Sequence, residues 1–260
     1  MQWQNASDSV PKLANLFGDF LDEPQEKEDI FRVLKTLTTG HCRDCRLYFK
    51  TQDNKGILWS GNPEAHIAIV GDTPSAGDVH SGKAFADDTG NTVRRWLRRG
   101  GINEKDVFYT YIVQCPTPKA ETKKAGPDED KAPQWEKETG ICFPKRCLRA
   151  LQSMPNLEVV LCLGLVTVRA LLGGQPKAST HLGFWYGTDI LPDVAVYGLP
   201  HPRDLNVQGA EVKKGRLRQW LTYFSQDYYG RVNEGGEILI PPKKILTILK
   251  QRQQERRESR

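Results

Sequence analysis

Short apolar runs recur along the chain and are separated by longer polar stretches rich in glycine, proline and charged residues. Runs of this length, bounded by turn residues, are typical of buried strands. Four of them predict the strands of a sheet: Ile67–Gly71, Val107–Val113, Leu157–Leu163 and Ala195–Leu199. Two other stretches are candidates for a short strand and a hairpin: Leu58–Gly61 and Phe184–Tyr186.

Apolar residues at helical spacing predict helices between the strands and at both ends of the chain. The predicted helices are a pair between Ser9 and Thr39 that breaks near Pro24, then Thr92–Gly100, Ile141–Ser153, Gly164–Leu172 and Lys213–Tyr229. Strands and helices that alternate in this way form a mostly parallel sheet covered on both faces. The sequence therefore predicts a single-domain α/β fold with three αβα layers and a central, mostly parallel four-stranded sheet.

Composition predicts an organisation of the 260 residues in three parts. These are an N-terminal helical segment (1–40), the α/β domain (41–229) and a charged C-terminal tail (230–260). Within the domain, Thr117–Thr139 is rich in Lys, Glu, Asp and Pro, which predicts an exposed insertion. No apolar run approaches the ~20 residues of a membrane span, and no basic-then-apolar signal opens the chain. We therefore expect a cytoplasmic monomer that does not bind membranes.

A long polar segment, Gly71–Gly90, lies between the first predicted strand and a basic helix. Such loops usually run only ~2–6 residues, and longer ones are more often functional. The second residue of the segment is an acid, Asp72, and the segment also contains an aromatic residue, Phe85. Cys115 and His201 each follow another predicted strand. Because ligands of α/β folds bind at the carboxyl ends of the strands, this pattern predicts a site at that edge of the sheet.

Asp72 and His201 could together act on one substrate. The carboxylate could position water or offset developing positive charge, and the imidazole could donate a hydrogen bond to a departing anion. This interpretation expects the two groups at opposite ends of one bond. The alternative is a loop acid and a loop histidine whose hydrogen bonds are satisfied within the protein.

The six cysteines separate by position into two groups. Four lie in loops or at element ends and could bind zinc or a [4Fe–4S] cluster, between which composition does not choose: Cys42, Cys45, Cys115 and Cys142. Cys147 and Cys162 lie inside a predicted helix and strand and are interpreted as packing residues.

The formal net charge is +5, and the basic residues cluster. One cluster follows the polar segment and includes Arg94 and Arg95, and a second includes Lys213 and Lys214. Basic clusters can simply aid solubility, but two of them favour a polyanionic partner such as DNA.

These residues occur in an order that resembles the iron–sulfur, family 4-like branch of the uracil-DNA glycosylase superfamily. The resemblance runs from Cys42 to about Leu205. The matching segments are Cys42–Cys45, Gly71-Asp72-Thr73-Pro74, Gly82–Gly90, Thr110–Cys115, Cys142, Val159–Gly164 and His201-Pro202-Arg203. Order, spacing and residue type agree over several separate motifs, and no gap is needed between Gly71 and Gly90.

The resemblance implies a uracil-DNA glycosylase-like fold and an enzyme that hydrolyses the N-glycosidic bond of an everted base in DNA. It implies that Asp72 handles the attacking water, Phe85 stacks on the base and His201 supports the leaving base anion. It also implies a [4Fe–4S] cluster, with zinc the alternative, on Cys42, Cys45, Cys115 and Cys142. Thr73 and Tyr111 would join Phe85 in the base pocket, and Arg203 would contact the DNA minor groove.

Several positions differ from the family pattern. Asp72 replaces a glutamate, Ser75 and Asp87 replace glycines, and Tyr111 replaces the asparagine that reads the uracil edge. A tyrosine cannot offer the paired donor and acceptor of an amide. The expected substrate is therefore a modified pyrimidine, such as those of phage DNA, removed in base excision or antiviral defence. The alternatives are an ordinary uracil-DNA glycosylase of DNA repair and a non-catalytic iron–sulfur protein that binds DNA.

Overall fold

The computed structural model describes residues 29–39, 42–45, 47, 58–99, 102–116, 136–174 and 181–202. The elements, in chain order, are α1 (Ile30–Thr39), β1 (Trp59–Gly61), β2 (Ile67–Gly71), α2 (Ala76–Ser81), α3 (Asp88–Arg99), a 3₁₀ turn (Glu104–Asp106), β3 (Val107–Tyr111), α4 (Glu136–Cys142), a π-helical segment (Phe143–Leu148), α5 (Arg149–Ser153), β4 (Val159–Leu163), α6 (Leu165–Leu172), β5 (Trp185–Thr188) and β6 (Leu191–Leu199).

The sheet has the strand order β1-β3-β2-β4-β6-β5. Its four central strands are parallel, and β1 and β5 pair antiparallel at the two edges. The predicted α/β class and the parallel core are confirmed, but the prediction of four strands was wrong because the described sheet has six. The edge strands are short and partly exposed, so they lack the continuous apolar run that marks a central strand.

Both faces of the sheet are buried, because successive strand residues point to opposite sides. Ile69 of β2 packs in one core cluster with Val93 and Leu97 of α3. Its neighbour Val70 lies in the other cluster, which also holds the buried apolar residues of α1, α5 and α6. This arrangement gives the predicted three layers of helix, sheet and helix.

The polar segment after β2 contains a helix that the sequence did not predict. The helix α2 is too short to show an apolar period, but its start is well defined. Ser75 Oγ accepts from the Asp78 backbone N–H at 3.1 Å, and Asp78 Oδ2 accepts from the Ser75 N–H at 2.9 Å, which is a capping box. The next helix, α3, begins at Asp88 and therefore four residues before the predicted Thr92.

The helix before β4 begins at Glu136, so the last four residues of the predicted insertion are helical. Near its middle the helix widens into the π-helical segment at Pro144, which lacks the amide hydrogen that an α-helical turn requires. The predicted helices before residue 29 and after residue 202 lie outside the described residues, and the three-part division stays a prediction. Within the described ranges, no helix is long and apolar enough to cross a membrane.

Candidate functional site

Asp72 and His201 meet at the carboxyl edge of the sheet. Asp72 directly follows β2, His201 follows β6 after one residue, and β4 lies between these two strands. His201 Nε2 is 3.2 Å from Asp72 Oδ1, and the same oxygen accepts from the Thr73 backbone N–H at 2.8 Å. The two groups are thus brought together as predicted, but they contact each other directly. The expectation that they face opposite ends of one bond is not met in this geometry.

A glycine at the end of β4 allows this contact. Gly164 has φ +93°, and a Cβ there would lie 3.1 Å from Cβ of His201. Its N–H donates to the Leu199 carbonyl at 2.8 Å, which holds the chain entering the histidine loop against β4. A larger residue at position 164 would be strained at this φ and would crowd the His201 side chain.

Phe85 and Tyr111 form the aromatic part of the site. Their rings stack with centroids 4.6 Å apart and planes 17° apart. Both rings lie against Gly71, where a Cβ would be only 2.8 Å from Phe85 and 2.9 Å from Tyr111. Phe85 has φ +54°, a left-handed conformation that costs free energy for a side chain of this size. One face of the predicted stacking platform is therefore covered by Tyr111.

The Tyr111 hydroxyl has two protein partners. It donates to Asp78 Oδ2 at 2.7 Å and accepts from the Phe85 N–H at 3.0 Å, so it helps to hold Phe85 in its strained conformation. The pKa of Tyr111 lies far above its ordinary value, first because of burial and then because of the nearby Asp78 carboxylate. The hydroxyl consequently stays protonated and committed to these contacts.

Asp78 is a buried carboxylate, one of the acids of the polar segment, to which the sequence analysis assigned no role. Its Oδ1 accepts from the backbone N–H groups of Ala86 and Asp87 at 2.7 and 3.3 Å. Its Oδ2 accepts from Tyr111 and from the N–H and hydroxyl of Ser75. A carboxylate accepts only a few hydrogen bonds, so these contacts leave Asp78 without a free acceptor for a ligand. They also connect α2 to Phe85 and Tyr111.

A small cavity joins these groups. Its lining includes Asp72, Thr73, Phe85, Tyr111 and His201, which are all the residues predicted to act in catalysis or base binding. The cavity leaves about 20 Å³ for the centres of water molecules, which is room for roughly one or two waters. An everted base would enter fully only if lining side chains moved.

The basic residues after the polar segment differ in their surroundings. The Arg94 guanidinium donates to the Phe85 carbonyl at 2.6 Å, contacts Glu104 Oε1 at 2.5 Å and lies 5.4 Å from the centre of the Tyr109 ring. Its side chain is 19% exposed, whereas Arg95 is exposed. Arg94 thus stabilises the backbone at Phe85 through this hydrogen bond. The other predicted DNA contacts, Arg203, Lys213 and Lys214, lie outside the described residues.

The four predicted cysteine ligands are free thiols, and Cys42, Cys115 and Cys142 are buried. The pKa of Cys142 is raised to about 12, mainly by burial and to a smaller extent by the neighbouring Cys115 and Cys42 thiols. Cys142 Sγ also accepts from the Gln114 N–H at 3.4 Å. Among the described residues, no group of three or more His, Cys, Asp or Glu side chains is arranged to hold a metal ion.

Cys147 and Cys162 are fully buried in the core cluster beside α1, as a packing role requires. Sequence reasoning missed two contributors to the site, Asp78 and Gly164. The capping pattern Ser75-x-x-Asp78 was a signal for the first. The second carried no local signal, because its role depends on a residue from another strand.

Fold and site together define a three-layer α/β protein with an acid–imidazole pair and an aromatic pair at the carboxyl edge of its sheet. Residues 58–224 match the uracil DNA glycosylase superfamily, and the chain belongs to this superfamily.

The chain is also similar to individual members. A type-4 uracil-DNA glycosylase of Pyrobaculum aerophilum is 27% identical over 143 residues, which are 55% of this chain and 65% of the relative. A type-4 uracil-DNA glycosylase of Thermotoga maritima is 24% identical over 139 residues, 54% of this chain and 65% of the relative. These matches confirm the predicted resemblance to family 4. Each covers slightly less than two thirds of the relative's length.

Proposed function

We propose that this protein is a DNA glycosylase that everts a base from DNA and hydrolyses its N-glycosidic bond, leaving an abasic site. The observation that carries the proposal is the 3.2 Å contact between Asp72 and His201 beside the aromatic cavity. The superfamily membership and the two type-4 relatives support the same reaction.

The pair suits the charges of this reaction. Cleavage of the bond develops positive charge on the sugar and negative charge on the base. The Asp72 carboxylate offsets the positive charge and positions the attacking water, while His201 donates a hydrogen bond to the departing base. Because the two side chains contact each other, we propose that they act as one unit.

We further propose a modified pyrimidine as the substrate, in preference to uracil. The Tyr111 hydroxyl is engaged by Asp78 and Phe85, so it is not available to read the edge of a base. No amide stands at this position to pair with uracil. A pocket that lacks such a contact loses selectivity for the base that needs it. A role in removing the altered bases of phage DNA would follow from this specificity.

DNA is the proposed partner. Extrusion of a base costs a few kcal/mol, which phosphate contacts can offset in part. Arg95 and Arg98 are exposed on α3, directly after the segment that carries the site. They are therefore placed to contact phosphates near an everted nucleotide.

A [4Fe–4S] cluster is the proposed cofactor, with Cys42, Cys45, Cys115 and Cys142 as its ligands. The donors fit, because thiolates are the usual ligands of such clusters and three of these four thiols are buried beside one another. A zinc ion would draw four sulfurs to about 2.3 Å from one centre, whereas a cluster spreads them over separate irons. Hydrolysis transfers no electron, so the cluster would stabilise the fold.

The catalytic proposal is tested with oligonucleotides that carry one target base, either uracil, 5-hydroxymethyluracil, 5-hydroxymethylcytosine or its glucosylated form. Abasic sites are detected by alkaline strand cleavage, in single and double strands. We expect cleavage at a modified base that is lost in Asp72→Asn and His201→Ala. Efficient cleavage at uracil alone would overturn the modified-base assignment, and no cleavage at any base would overturn the enzyme assignment.

The cofactor proposal is tested on anaerobically purified protein by visible absorption and by iron, sulfide and zinc analysis. We expect a broad band near 400 nm, iron and sulfide in equal amounts, and a Cys42→Ser variant that fails to fold. Stoichiometric zinc without iron, or a folded but inactive Cys42→Ser protein, would contradict the proposal. Cys162→Ser serves as the control that changes a buried thiol without changing the iron content.

A further inference from the structure

Most polar groups around the cavity are engaged within the protein. His201 and Asp72 contact each other, and the Tyr111 hydroxyl is held by Asp78 and the Phe85 N–H. The Asp78 carboxylate accepts hydrogen bonds at both oxygens. These groups therefore have little capacity to distinguish one base from another.

Asp87 is different. It lines the same cavity and is half-buried. Its Oδ1 accepts from the Gly90 N–H at 3.0 Å at the start of α3, but its Oδ2 receives no hydrogen bond from the residues that the structure describes. A carboxylate oxygen can only accept, whereas the Thr73 and Thr89 hydroxyls that also line the cavity can donate or accept. Asp87 therefore offers the cavity a carboxylate oxygen that is open to a hydrogen bond and that can only accept one.

We propose that Asp87 is a specificity-determining residue that selects everted pyrimidines with a hydrogen-bond donor on C4 or C5, an amino or a hydroxymethyl group, over uracil. This inference rests on the proposed function and names the chemical class of its substrate. The proposal places the C4–C5 edge of the base against the carboxylate, away from the N3–H donor of uracil. At this edge uracil presents only the C4 carbonyl oxygen, and two acceptors cannot share a hydrogen bond. A cytosine amino group can donate to Asp87, as carboxylates accept from this group elsewhere.

The donor has two possible sources on a pyrimidine ring, the amino group at C4 and a hydroxymethyl group at C5. These positions are neighbours on the ring, so one carboxylate oxygen can face either. In this orientation either group would donate to the spare Asp87 oxygen, whereas uracil would leave that oxygen without a partner. Loss of one hydrogen bond to a charged group corresponds to a roughly 10- to 100-fold difference in affinity.

The test uses the full-length protein and oligonucleotides whose target sugar carries a 2′-fluorine, which prevents cleavage of the glycosidic bond. Four bases are compared by fluorescence anisotropy at one salt concentration: uracil, cytosine, 5-hydroxymethyluracil and 5-hydroxymethylcytosine. We expect at least about 10-fold tighter binding of a donor-bearing base than of uracil. Cytosine reports on the amino group alone and 5-hydroxymethyluracil on the hydroxyl alone.

The variant Asp87→Asn keeps the shape and the bond from Gly90 but adds an amide that can donate to a carbonyl. We expect it to lose the preference against uracil, while Asp88→Asn, an exposed neighbour outside the cavity, keeps it. Asp87→Ser preserves a helix cap and is the second variant if the asparagine protein melts early. Equal binding of all four bases by the unmodified protein, or an unchanged preference in both Asp87 variants, would overturn the inference.

Excision from unfluorinated oligonucleotides is measured separately. A binding preference that depends on Asp87, without any abasic product, would support this inference and overturn the proposed glycosylase. Abasic product without such a preference would do the reverse.

Discussion

Asp72 Oδ1 lies 3.2 Å from His201 Nε2, although 129 positions separate the two residues along the chain. The contact bridges the end of β4 and is possible because Gly164 carries no side chain. Because the two side chains are in contact, a mutation of one is expected to change the effect of mutating the other. The pair therefore behaves as a unit, and this has measurable consequences.

The first prediction concerns non-additivity. We expect Asp72→Asn and His201→Ala each to slow single-turnover excision by about 10²- to 10⁴-fold, because each removes one member of the acid–base unit. The double variant should then be little slower than the worse single variant. Asp106→Asn, an exposed acid outside the cavity, is the control. Losses that multiply in the double variant would show that the two groups act independently.

The second prediction concerns Gly164. In Gly164→Ala the new Cβ would meet Cβ of His201, and the positive φ would be strained. We expect excision to slow, but by less than the about 100-fold that a displacement of 1 Å can cause, because His201 must move by only a few tenths of an ångström. Gly140→Ala is the matched control, because nothing lies within 4 Å of its Cβ position, and it should stabilise α4 by about 0.5–1 kcal/mol. Wild-type excision by Gly164→Ala would contradict this role.

The third prediction compares two buried tyrosines on one face of β3. Tyr111→Phe leaves Asp78 and the Phe85 N–H short of a partner, so we expect the free energy of unfolding to fall by about 1–3 kcal/mol. The Tyr109 hydroxyl is buried with no hydrogen-bond partner in the described part of the chain, so Tyr109→Phe should be neutral or stabilising. Urea unfolding of both variants measures the difference. Equal effects would refute the assigned roles.

The fourth prediction concerns alkaline pH. The pKa of Tyr111 is raised by burial and by Asp78, so the folded state keeps this proton where an unfolded tyrosine, with an ordinary pKa of 10.0, loses it. The unfolded state then binds fewer protons, and stability falls as the pH rises above about 10. We expect Tyr111→Phe to reduce the slope of this fall by up to about 1.4 kcal/mol per pH unit. Urea titrations between pH 8 and 11 measure the slope, and an unchanged slope would contradict the prediction.

The sequence predicted the uniformly buried parts of the central strands well, but β6 begins at Leu191, four residues before the predicted Ala195, because exposed residues interrupt its first half. The bounds of β2 match the prediction, and all five of its residues are buried. Edge strands such as β1 pair with a single neighbour, carry no continuous apolar run and were left out of the predicted sheet. The six-residue α2 spans too few turns for a period to appear. Elements that are long enough and buried enough to show a hydrophobic pattern were therefore predicted, and short or exposed elements were not.

Some features of the site could likewise be predicted from the sequence, and others could not. That Asp72 and His201 would share one edge followed from strand direction, since parallel strands end on the same side. Their direct contact depends on Gly164, and the contact of Tyr111 with Asp78 depends on how side chains pack. Neither feature repeats along the chain, so no local pattern encodes it.

The last prediction separates two neighbouring arginines that the sequence treated alike. Arg94 contacts Glu104 and the Phe85 carbonyl, so Arg94→Ala should lower the melting temperature and disturb the site. Arg95 is exposed, so Arg95→Ala should leave the melting temperature unchanged but weaken binding to DNA of any sequence. If Arg95 contacts a phosphate, the slope of log affinity against log salt should fall by about 1. An unchanged slope in Arg95→Ala, or an unaltered melting temperature in Arg94→Ala, would show that this division between a supporting and a DNA-facing arginine is wrong.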